Sequence, residues 1–145
     1  VNRMAWNVLE NKTDDYIWTS DNPVVRHNTR AYTRNQTGGT GLASMGIELY
    51  FPLTPNLMLH LLDKKEYDVE LKLMPDTIRD PEVIKFFKDI QVQGATRHIF
   101  SKKDDFSLAQ RRIRDTPEVG DPDRDLLGTI DEPESLYQKL DDSYQ

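Results

Sequence analysis

The chain contains no cysteine, and that absence removes thiol nucleophiles, disulfides and thiolate metal sites together. A reducing, cytoplasmic setting fits. Its three histidines, His27, His60 and His98, show no metal-ligand spacing, so neither a metal nor another cofactor is expected. No window approaches the roughly 20 apolar residues of a membrane span, and residues 1–10 lack the apolar region and cleavage site of a signal peptide. A soluble protein with no membrane partner follows. The Asn-x-Thr triplets at Asn11 and Asn35 are then read as chance matches to a glycosylation pattern.

Nucleotide-binding signatures also fall short. In TGGTGLASMG, Gly41 and Gly46 stand five apart, but Ile47 and Glu48 follow where a phosphate loop needs Lys and Ser or Thr. Gly39 and Gly41 are followed by Ser44 where the dinucleotide fingerprint needs its third glycine. Ser20 lacks the Gly-x-Ser-x-Gly elbow of a serine hydrolase. The glycines therefore read as a loop, and His60, inside an apolar run, as a hydrogen-bonded core residue.

What remains is a chain of 145 residues, the size of one domain, with 37% apolar and 30% charged residues. The net charge of −6 is uneven. Residues 1–103 carry 14 basic and 13 acidic side chains, whereas residues 104–145 carry 5 and 12. From Arg114 onward the sequence is rich in Pro, Gly and Asp and poor in large apolar residues, so residues 115–145 are expected as an acidic, irregular tail beside a domain of residues 1–114.

Residues 16–20 and 24–26 are β-prone runs separated by Ser20-Asp21-Asn22-Pro23, which predicts strand, turn, strand. Residues 47–51 and 57–62 are continuous apolar runs that suit strands covered on both faces. Tyr67, Val69, Leu71 and Leu73 alternate with charged residues, the period of a strand with one wet face. Asp80-Pro81 supplies an N-cap and a first-turn proline, and Val83, Phe86, Phe87 and Ile90 follow at helical spacing. The spacing predicts a helix over 81–93, with a brief strand at 99–100 and a short helix over 106–113. The opening VNRMAWNVLEN reads as the end of a helix, and a start at Val1 suggests a piece of a longer chain.

Asp21, flanked by Ser20 and Asn22, is the candidate catalytic carboxylate. The competing expectation is a turn in which its oxygens accept from the backbone amides that follow. Glu48 is the one other carboxylate on an expected core strand. Arg26, Arg30 and Arg34 recur at four-residue spacing in a stretch without acids, which makes them candidates for phosphate or anion contacts and gives weak support to nucleic-acid binding.

The runs YIWTSDNPVV, GIELYFPLTPNLMLHLLD and ATRHIFS together resemble the family of the uncharacterised domain of unknown function 4238, over about residues 7–106. The resemblance implies a longer protein, whose helical N-terminal half opens on a His-His-Tyr-Val-Pro type motif. It implies no established activity, but it draws attention to Ser20, Asp21 and Asn22. The expected fold is a single α+β domain with a mixed or antiparallel sheet of residues 16–26, 47–51, 57–62 and 67–73, packed by one main helix. The expected function is a structural or interaction module forming the C-terminal part of a longer chain, partnered by its own N-terminal half or another protein. The alternative is half of a metal-dependent hydrolase or nuclease, with Asp21 as the acid and the arginines on phosphate.

Overall fold

The computed structural model describes residues 3–30 and 41–124. Residues 1–11, expected as a helix end, instead supply strand β1 (Met4–Asn11). Trp6, Val8 and Glu10 are exposed while Leu9 and Asn11 are buried, which is the two-residue period of a strand. The apolar residues at Trp6 and Val8 belong to its outer face, and that face disguises the alternation.

Strands β2 (Thr19–Ser20) and β3 (Val25–His27) flank the Asp-Asn-Pro turn but enter different sheets. The two apolar runs become a hairpin of β4 (Glu48–Thr54) and β5 (Leu57–Asp63), with a register shift between Pro52 and Thr54. Such an irregularity is where a strand accommodates proline. The main sheet has the order β3-β4-β5-β1-β6, with β6 (Thr77–Ile78) parallel to β1 and the other neighbours antiparallel. The fold is therefore α+β with a mixed five-stranded sheet.

Residues 67–73 do not form the expected strand. Helix α1 (Asp68–Leu73) stands there, with Val69 66% and Leu73 78% exposed. The alternation of charge does not correspond to two faces of a sheet; Tyr67 alone of the alternating set is fully buried. Asp68 and Glu70 sit in the first turn, Lys72 in the last, and Lys72 bonds Asp68 at 3.1 Å, an arrangement that favours even a short helix.

Helix α2 (Pro81–Gly94) forms as its caps dictate, with the Asp80 carboxylate accepting from the Glu82 amide at 2.9 Å. Val83, Ile84, Phe86, Phe87 and Ile90 pack against Leu9, Val25, Tyr50, Met58 and Ile78 on the inner face of the sheet. On the far side of α2, Trp18, Val92 and Ala109 form a second cluster with Ile99, Phe106, Leu108 and Val119. It joins strand β7 (Ile99–Phe100), paired with β2, to helix α3 (Ser107–Asp115) and a 3-10 turn (Pro117–Gly120).

Candidate functional site

Ser20, Asp21 and Asn22 stand at the C-terminal end of α2. Ser20 Oγ donates to Gln91 Oε1 at 3.0 Å, while Gln91 Nε2 donates to the Pro23 carbonyl at 2.9 Å. Asn22 Nδ2 donates to the Gly94 carbonyl at 3.0 Å, occupying one of the acceptors a helix leaves open at its end. The Asp21 carboxylate accepts from the amides of Thr96 and Arg97, both at 2.9 Å. Burial works to raise the Asp21 carboxyl, but the Thr96, Arg97 and His98 amides together hold it below the ordinary range. Asp21 thus caps a turn 75 residues away rather than its own.

Gly94 is matched to this clasp. A Cβ there would stand 2.9 Å from Val25 Cγ2, so the helix end and β3 meet at a distance only glycine allows. Arg124 also engages this end, donating to the Gln93 carbonyl at 2.7 Å and to that of Ala95. A cleft of about 510 Å³ nearby is bordered by Lys12, Asp15, Arg79, Lys88, Lys103 and Asp105, among others, but by none of Ser20, Asp21 and Asn22.

A second polar knot lies inside the core, and the sequence reading found only two of its members. Glu48 is fully buried on the inner face of β4. Its Oε2 accepts from Thr29 Oγ1 at 2.8 Å and from the Thr29 amide at 3.3 Å. Its Oε1 accepts from Tyr50 Oη at 3.1 Å and stands 3.4 Å from His60 Nε2. The Tyr50 and His60 rings stack at 4.4 Å between centroids, and the His27 ring meets Phe86 edge-on at 5.6 Å. Burial alone would raise the Glu48 carboxyl, yet the hydrogen bond to His60, the charges of His60 and His27, and the Thr29 hydroxyl bring it down to about 2.

Tyr67 adjoins this knot. Its hydroxyl, pushed up by burial and by the charge of Glu48, donates to the Gly46 carbonyl at 2.9 Å. The Gly46 amide donates to Asp63, which also holds the Arg3 guanidinium. Gly46 has φ +77°, and a Cβ there would lie 2.7 Å from Arg30 Cβ, so this bend admits glycine alone. Parity was the available signal: Glu48 and Tyr50 share one face of β4, and Tyr50 lies opposite His60 in register. Thr29, Tyr67 and Asp63 carried no such mark.

Of the three expected phosphate contacts, Arg26 and Arg30 lie within the described residues. Arg26 is exposed on β3. Arg30 bonds Glu70 and the Glu66 carbonyl, with its guanidinium 4.9 Å from the centre of the Tyr67 ring. Arg34 lies outside the described residues. Among the described residues, no cluster of His, Asp and Glu has the geometry to hold a metal ion, and no helix is long and apolar enough to cross a membrane.

Neither a curated protein nor a solved structure matches the chain. A family profile does match, described as protein of unknown function (DUF4238), over residues 1–105. That span takes in both knots and all seven strands among the described residues, and it leaves outside α3 and the 3-10 turn that close the second cluster. By this match the chain belongs to the DUF4238 family.

Proposed function

We propose that this domain is a structural or interaction module forming the C-terminal part of a longer chain. The observation that carries the reading is the clasp: Ser20, Asp21 and Asn22 each commit their polar atoms to the C-terminal end of α2 or the turn after it. A motif used in this way fixes the angle between a helix and a sheet. The cysteine-free composition suits a reducing, cytoplasmic setting.

The metal-dependent hydrolase alternative draws less support. The carboxylate it requires accepts two backbone amides, and Arg30, one of its phosphate contacts, is engaged with Glu70 and Tyr67. Asp21→Asn separates the readings, because the amide keeps one acceptor oxygen but loses the charge. The expected result is a melting temperature lowered by a loss of about 1–2 kcal/mol. A divalent-metal-stimulated phosphodiester hydrolysis that Asp21→Asn abolishes without changing the melt would overturn the module reading.

A further inference from the structure

The main sheet has two unlike faces. Its inner face is closed by α2. On its outer face, Trp6, Leu61 and Leu49 form one cross-strand row, and Val8, Leu59 and Phe51 form the next. Trp6 is 66% and Val8 45% exposed, and the other four are half-buried. An antiparallel sheet facing water carries polar residues on its outer face, whereas β1, β4 and β5 carry apolar residues there over this span.

We propose that the outer face of the sheet is a docking surface for a second copy of this chain, the two sheets packing face to face. This rests on the module reading and names its contact surface and partner. The rows and their neighbours present roughly 500 Å² of apolar surface, a size at which a monomer's patch marks an interaction site. Two copies would bury about 1,000 Å², at the lower limit for a specific interface.

Charge at the corners selects a second copy as the occupant. Arg26 continues the first row on β3, and Glu10, paired with Leu57, stands near the end of β1 at the diagonally opposite corner. A two-fold axis in the plane between the sheets and perpendicular to that diagonal exchanges the corners, so each Arg26 meets Glu10 of the other copy. Strands of the two sheets then cross near a right angle, one of the two ways sheets pack. Glu10 already bonds Lys12 of its own chain through Oε1, and its second oxygen faces the approaching guanidinium in this arrangement.

Sedimentation equilibrium on the 145-residue protein tests this. The expected mass rises with concentration from 16.9 kDa to twice that value. Trp6→Glu should weaken association more than about 30-fold, as loss of a central aromatic anchor does, without lowering the melt of the monomer. Arg26→Glu and Glu10→Arg should each weaken it up to about fivefold, and the double exchange should restore it. A protein that stays monomeric, a Trp6→Glu variant that still pairs, or a double exchange that fails to restore would overturn the proposal. A face shielded from an aqueous quencher in a monomeric longer chain would assign the surface to that chain itself, which overturns the second copy and leaves the module reading standing. Loss of metal-dependent hydrolysis in Asp21→Asn strikes the module reading separately.

Discussion

Asp21 sits at the rim of the molecule with its carboxylate on the amides of Thr96 and Arg97, whereas Glu48 lies in the core among side chains of β4 and β5 and the helical residue Thr29. Both are held below the ordinary carboxylate range. Their means differ. Backbone amides are present in any sequence that follows this path, so Asp21 depends on the fold of one turn. Glu48 depends on Thr29, Tyr50 and His60 being those residues and no others. Water can reach the rim when Asp21 is removed, but it does not reach an unpaired group at full burial. The two sites should therefore break by very different amounts.

The largest effect is expected at Glu48. Glu48→Gln removes the buried charge that Thr29 and Tyr50 donate to and turns one acceptor into a donor, and the buried donors left without that acceptor should cost about 3 kcal/mol in urea denaturation. The same carboxyl makes an acid-sensitive contribution. Its folded value is about 2 against an ordinary 4.5, so the contribution is complete above pH 4.5 and is lost as the pH falls toward 2. Glu48→Gln should flatten the stability profile in that window. An unchanged acid limb would show that Glu48 is not charged in the fold.

A smaller effect should come from the wall of the same knot. Gly46→Ala puts a Cβ 2.7 Å from Arg30 Cβ at a φ of +77°, and strain and contact together should cost roughly 2–3 kcal/mol. Amide exchange would locate the damage, with faster exchange expected at Gly46 and Lys65, whose N–H groups donate to Asp63. Exchange unchanged there would place the strain elsewhere. Asp21→Asn comes next, at about 1–2 kcal/mol, and its ratio to Glu48→Gln measures how far core and rim differ.

The legibility of these regions follows the same division between local and distant causes. Helix α2 is written in adjacent residues: Asp80 and Pro81 cap it, and Val83, Phe86, Phe87 and Ile90 stripe it. The β4–β5 hairpin is equally local. Strand β1 was hidden because Trp6 and Val8 are apolar on an exposed face, which obscures the inward parity of Leu9 and Asn11. Helix α1 was misread because its alternating charges pair along the helix, Lys72 with Asp68, and with Arg30 through Glu70, rather than marking one face of a sheet. At the candidate site, the turn chemistry of Asp21 was visible but its partners, 75 and 76 residues away, were not. No local pattern announces a cap supplied to a distant loop.

The smallest effect concerns where the clasped helix end stops needing the rest of the chain. Val119 packs on the second cluster, and Arg124 donates to the carbonyls of Gln93 and Ala95 at the C-terminal end of α2, where Asn22 also contacts Gly94. Contacts with the second cluster and the α2 end therefore extend beyond Arg114 as far as Arg124. Removing residues 125–145, acidic and poor in large apolar side chains, should change stability by less than about 0.5 kcal/mol. Cutting after Arg114 instead removes Val119 and the Arg124 guanidinium, leaves the α2 carbonyls to Asn22 and water, and should cost about 1–2 kcal/mol more. Calorimetry on the two truncations compares them directly. Equal melts would mean that Arg124 adds nothing to the clasp, and a large loss from the longer truncated chain would mean that residues 125–145 contribute to the core.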